Sequence, residues 1–172
     1  PTTVINSAID GNNSTITNSS NTKTNTLMFD FSGNDTGGVG IDHLECSLDG
    51  TSFSACTSPV QFTSANITDG THTFEVLSVD NSTNKDASPA SFIWTVDTIP
   101  PETSINSATD GNKSAVTNGS TTKSTSMTFT FSGNDTGGVG IDHFECNVDG
   151  LTFVTCTSPF TFPNLLEDGT HT

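Results

Sequence analysis

The chain is written nearly twice, and this limits its folds more than any other feature. PTTVINSAIDGN from Pro1 recurs as PETSINSATDGN from Pro101. FSGNDTGGVGIDHLEC from Phe31 recurs as FSGNDTGGVGIDHFEC from Phe131, an offset of 100 residues. One residue is lost after Phe62 and Phe162, so DGTHT from Asp69 returns at Asp168, an offset of 99. Solenoid units run to roughly 20–45 residues, so a period of this length points to separate domains, each with its own core. The first copy continues past Thr73 with FEVLSVD and ASFIWTVD, whereas the second reaches only Thr172. Two strands are therefore expected to be missing from the second copy. That would leave an open edge and an unfilled core. Either a longer parent protein or another chain is expected to supply them.

Within each copy the hydrophobic period is two. Leu27, Phe29 and Phe31 alternate with Met28, Asp30 and Ser32, and Met127, Phe129 and Phe131 repeat the pattern. Alternation of this kind marks a half-buried strand. Leu44, Cys46 and Leu48 form a second inward face, followed by the turn signal Asp49-Gly50. His72, Phe74 and Val76 form a third, and Phe92, Trp94 and Val96 a fourth. Clusters of Pro, Gly, Asn and Ser separate these runs, and no segment has helical periodicity. The expectation is all-β: tandem immunoglobulin-like Greek-key β-sandwiches of about seven strands each. Residues 1–98 form the first repeat, residues 99–101 a Pro-rich linker, and residues 102–172 an incomplete second repeat. Pro100 and Pro101 lie within VDTIPPE, and fixed φ angles there would stiffen the joint into an extended rod.

Composition agrees with thin two-layer domains. Apolar residues make up 30% of the chain, with 12 Phe, one Trp and no Tyr. That is too little for one large core, but a sandwich strand commits only alternate residues inward. The net charge of -15, from 19 acidic and 4 basic residues, argues against nucleic acid, which needs clustered Lys and Arg. No apolar run approaches the roughly 20 residues of a membrane helix.

FECxxDGxxFxxCTSP, DGTHTF and SPASFxWTVDTxPP resemble the tandem immunoglobulin-like repeats of bacterial and archaeal cell-surface proteins. The resemblance covers nearly the whole chain. It implies an extracellular β-sandwich of the kind used in adhesins, stalks, surface layers and filaments, without implying one activity. That family often carries a DxAGN loop. Here the loop is DNSTNKD, in which Asp80 and Asn84 match and the glycine does not.

The four cysteines form two C-x9-C pairs, one per repeat. Self-sufficient repeats select Cys46–Cys56 and Cys146–Cys156 from the three formal pairings. Zinc sites favour closer spacing. Disulfides place the chain in an oxidising compartment, extracellular at the cell surface.

Asn-x-Ser/Thr sequons occur at Asn12, Asn13, Asn18, Asn34, Asn66, Asn81, Asn112, Asn118 and Asn134, mostly in expected loops where N-glycans belong. Such density suits an archaeal surface glycoprotein better than a bacterial one. Asp80, Asn84, Asp86, Asp97 and Glu102 cluster near the expected joint. They are candidate calcium ligands, because calcium takes several oxygens. Asp35 with Asp42, and Asp135 with Asp142, form a second acidic set around a Gly-rich turn. The competing reading is solvated turn residues with local backbone hydrogen bonds, in which case no cofactor is needed.

His43 and His72 recur as His143 and His171, which ties them to the repeat, and His72 is expected to cap the rim of the core. No G-x-S-x-G, H-E-x-x-H or phosphate loop is present, so no enzyme is expected. The leading function is a structural module of a surface filament, layer or stalk, partnered by copies of itself or further repeats of the same chain. Completion of the open sandwich by a neighbouring subunit's strand is one variant. An adhesin or carbohydrate-binding module is the second reading, weakened by the lack of Tyr and by a Trp that alternates into a strand. A spacer of a secreted enzyme is the third.

Overall fold

The computed structural model describes residues 1–162 and 166–172. Among them there is no helix, and the strands gather into several sheets. The chain divides into two units, Pro1–Ile99 and Pro100–Thr172. The division falls inside the Pro-rich segment.

The first unit holds eight strands: β1 (Thr2–Asp10), β2 (Ser20–Thr22), β3 (Leu27–Asn34), β4 (Ile41–Leu48), β5 (Ser54–Cys56), β6 (Val60–Phe62), β7 (Gly70–Asp80) and β8 (Ala90–Val96). One sheet runs β1-β3-β6 and the other β2-β8-β7-β4-β5. Their inner faces meet as the layers of a β-sandwich. Leu27, Phe29 and Phe31 of the first sheet are buried against Phe74, Val76, Phe92, Trp94 and Val96 of the second. Phe29 has no exposed surface. Its ring stacks on Phe74 at 4.6 Å and meets Phe92 and Trp94, each at 5.3 Å. Offset and edge contacts of this kind add to simple area burial.

Three details depart from plain alternation. β2 has the polar sequence Ser-Asn-Thr and pairs in parallel with β8, making an eighth strand where about seven were expected. The C-terminal half of β7, from Val76 to Asp80, is buried on both faces. There the chain folds back so that Lys85 bridges to Val79. Finally, β1 is bulged between Ile5 and Ser7 where it pairs with β3. The intervening Asn6 donates from Nδ2 to Asp30 and accepts a bond from Ser32.

The second unit holds six described strands: β9 (Glu102–Asp110), β10 (Ala115–Val116), β11 (Met127–Asn134), β12 (Phe144–Cys146), β13 (Val154–Cys156) and β14 (Phe160–Thr161). One sheet runs β10-β9-β11-β14, and β12 pairs with β13. Glu102 faces Asn134 as Thr2 faces Asn34, and a bulge recurs at Asn106. Nothing described corresponds to β7 and β8, and the consequences are local. β4 runs for eight residues because β7 pairs along it, whereas β12 keeps only the three residues paired with β13. Phe131 and Cys156 are the buried apolar residues described in this unit. Phe129, the counterpart of Phe29, is only half-buried.

Each disulfide ties a two-stranded hairpin, Cys46 on β4 to Cys56 on β5 and Cys146 on β12 to Cys156 on β13. A loop this short contributes at most roughly 3 kcal/mol through the unfolded chain.

Trp94 is the sole tryptophan and lies in the first core, so its fluorescence reports that unit alone. Phe29→Ala is expected to destabilise the first unit by about 3–5 kcal/mol in urea denaturation followed at Trp94. Phe129→Ala should leave the Trp94 transition where it was.

Candidate functional site

One pattern of bonds repeated in both units is a clamp at the entry to β7. The His72 ring lies between Asp49 Oδ2 and the Thr68 carbonyl, each at 2.8 Å, and packs against Trp94 at 5.4 Å. Asp49 also takes the Thr73 amide on Oδ1, and its own amide donates to the Thr73 carbonyl. The turn Asp49-Gly50 has positive φ at both residues, 52° and 73°, which aims the aspartate back along the next strand. The second unit repeats every bond. His171 meets Asp149 Oδ2 at 2.7 Å and the Glu167 carbonyl at 2.8 Å. The Thr172 amide donates to Asp149 Oδ1, and the Asp149 amide donates to the Thr172 carbonyl.

Beyond this clamp the units differ. In the first, β7 and β8 fill the space. In the second there is an open trough of about 670 Å³, lined by Cys146, Val148, Leu151, Val154, Phe160 and Phe162 among others. Of the residues lining it, Leu151 is 65% exposed and Val154 55%. The place of His72 at the rim of the core was legible in the sequence, but its partner Asp49 was not, because Asp49 read only as a turn residue.

Of the candidate calcium ligands, Asp80, Asp86 and Asp97 each accept hydrogen bonds from neighbouring protein groups. Asp80 takes the Ser82 and Asn84 amides on Oδ1 and the Asn84 side chain on Oδ2. Asn84 is the largest influence holding its carboxyl below the ordinary value of 3.8. Asp86 is buried and binds Thr3 and Ser88. Burial pushes its carboxyl up, and those bonds more than reverse the effect. Asp97 accepts from the Ile99 amide. Glu102 opens β9 in the second unit. Asp35 and Asp135 each close their Gly-rich turn by accepting the amide of Gly40 or Gly140. Asp42 and Asp142 bind the neighbouring His43 and His143. Among the described residues, no group of three or more His, Cys, Asp or Glu is arranged to hold a metal ion.

Asp10 shows what these loops do. Its Oδ1 takes the Asn12 and Ser14 amides, and its Oδ2 takes the Thr22 hydroxyl. Asp110 does the same with Asn112, Ser114 and Thr122. The aspartate thus replaces missing strand pairing in a tight loop. His43 joins a surface chain through Glu45 to Lys85, whose ammonium lies 2.6 Å from Glu45. All nine sequon asparagines are exposed. The Asn18 side chain accepts the Ile93 amide, and that of Asn81 donates to the Val39 carbonyl. Trp94 is wholly buried, so it offers no platform for a sugar.

The clamp has a defined pH response. Asp149 first, then the Glu167 carbonyl, raises His171 above its ordinary 6.5. His171 first, then the Thr172 amide, lowers Asp149 below its ordinary 3.8. The histidine contribution is therefore complete below pH 6.5 and lost as pH rises through the folded value. The aspartate contribution is complete above pH 3.8 and lost as pH falls through the folded value. An NMR titration should place the His171 midpoint above 6.5, and Asp149→Asn should move it back toward 6.5. A wild-type midpoint below 6.5 would mean the clamp does not form.

No protein-family model matches the chain, and no curated protein matches it. Among solved structures it is similar to the extracellular domain of a B. thetaiotaomicron protein. One crystal structure describes that protein as a proposed one-component system, with 13% identity and a TM-score of 0.43 over 55% of this chain. Another describes it as a proposed hybrid two-component system, with 14% identity and a TM-score of 0.42 over 55%. The chain spans only 15% of the length of either. What the chain itself gives is an all-β protein with two intra-unit disulfides, a combination suited to an extracellular or secreted setting.

Proposed function

We propose that this chain is a structural repeat module of an extracellular surface protein, built from immunoglobulin-like Greek-key β-sandwiches that assemble into a filament, surface layer or stalk. The observation that carries this reading is the recurrence of the polar bonds. Asp10 and Asp110, Asp35 and Asp135, Ser58 and Ser158, and His72 and His171 keep equivalent partners in both units. Groups that recur with the same partners build the unit itself.

The sheet orders β1-β3-β6 and β2-β8-β7-β4-β5 support the Greek-key assignment. The disulfides and the nine exposed sequons support a glycosylated life outside the cell. The net charge of -15 favours solubility and disfavours unspecific side-by-side contact. One further observation favours protein contact over glycan binding. Among the described residues the exposed large aromatic is Phe153, whereas the sole Trp is buried and Tyr is absent.

Negative-stain microscopy of native material, with intact mass under non-reducing conditions, tests this. Regular filaments or sheets, and a mass above that of the bare peptide by glycan increments, are the expected result. Dispersed monomers at peptide mass would overturn the assembly reading.

A further inference from the structure

All nine sequon asparagines are exposed, so exposure alone does not tell which of them the folded chain presents for modification. The bonding of each side-chain amide does. The Thr36 hydroxyl donates to Asn34 Oδ1 at 3.0 Å, and the Thr136 hydroxyl donates to Asn134 Oδ1 at 2.8 Å. Among the described residues no protein group bonds Nδ2 of either asparagine. The hydroxyl thus holds the oxygen side of the amide and leaves the nitrogen side to solvent.

The turn beneath each sequon is fixed. Asp35 Oδ2 accepts the Gly40 amide at 3.0 Å, and Asp135 Oδ2 accepts the Gly140 amide at 2.7 Å. A Cβ built on Gly38 or Gly138 would collide with the same carboxylate. Each carboxylate is therefore drawn into the Gly-rich turn that follows it. Part of its charge is held by a backbone N–H, which lessens its repulsion of the phosphate on an activated sugar. Asn34 ends β3 opposite Thr2, and Asn134 ends β11 opposite Glu102, so the two amides stand at the same place in each unit.

Asn81 is the contrast. Its Nδ2 donates to the Val39 carbonyl at 2.9 Å, and its backbone amide donates to the Gly40 carbonyl at 3.0 Å. The nitrogen that would receive a sugar is packed against the backbone of residues 39–40, and a sugar ring on it would press on that segment.

We infer that Asn34 and Asn134 are acceptor asparagines of the folded chain for an N-linked sugar, and that Asn81 is withheld. The inference rests on the glycosylated, extracellular reading for the presence of a transferase. The donor is a sugar activated by phosphate at C1. Nδ2 gives one proton to a base of the transferase and forms a bond to C1. The bond from C1 to the phosphate oxygen breaks, and its electron pair leaves on that oxygen. Oδ1 stays an acceptor in the product, so Thr36 and Thr136 keep their bonds. At Asn81 the loop must first release Nδ2, and the site reacts only while it is open.

The test treats the full oxidised chain with a soluble asparagine N-glycosyltransferase and UDP-glucose, and reads the rate at each site by peptide mass mapping. Synthetic peptides of residues 30–40, 77–87 and 130–140 give the rate of each sequon without the fold. Asn34 and Asn134 should react in the chain at rates comparable to those of their peptides. Asn81 should react about tenfold more slowly than its peptide, the effect of one bond that must open. Equal ratios at Asn81 and Asn34, or Asn34 and Asn134 suppressed as strongly as Asn81, would overturn the inference. The two readings fail separately. Native material free of glycan removes the glycosylated reading and keeps the ranking of sites. Native glycan on Asn81 with Asn34 and Asn134 bare removes the ranking and keeps the glycosylated reading.

Discussion

The stack of Phe29 on Phe74 joins the two sheets of the first unit, and most of its order follows from that contact. Phe29 belongs to the three-stranded sheet and Phe74 to the five-stranded one. Neither sheet has enough apolar surface to be stable alone in a chain that is 30% apolar. Facing each other, they bury Leu27, Val76, Trp94 and Val96 almost completely. Each strand contributes only two or three side chains, so a polar chain can still close a dry core.

The polar residues serve this core by fixing where strands begin and end. Asp10 and Asp80 gather amides at the ends of β1 and β7, where the ladder stops and N–H groups would otherwise lack partners. His72 and Asp49 set the start of β7 against the turn after β4. Of these, Asp80 is the residue that sequence inspection puts forward as a candidate calcium ligand. In the fold they act as local pins, and their carboxylates are taken up by protein donors.

The second unit shows how far one sequence pattern depends on its partners. Phe129 has the sequence environment of Phe29 yet stays half-buried, and β12 is shorter than β4 although five of the eight residues at 141–148 match those at 41–48. Local pattern makes the β9–β11 pairing and the β12–β13 hairpin. Burial and strand extension need the layer that β7 and β8 provide in the first unit. Leu151 and Val154, both exposed, line the open trough of the second unit.

The sequence by itself determined the all-β class, the inward faces of β3, β7 and β8, and the hairpin turn at Asp49-Gly50. These depend on period-two alternation and on glycine's freedom at positive φ, both of which are local. The cysteine spacing, one pair per copy, likewise named the partners that the hairpins join. Only the tertiary structure decided the rest. β2 is polar and exists because β8 lies beside it with free backbone groups, a contact between residues more than 70 positions apart. Val79 is buried on the face alternation calls outward because the loop through Lys85 covers it. Asp49 became half of a clamp because β7 returns past it. Each of these outcomes depends on a partner distant in sequence, and no local pattern records which partner that will be.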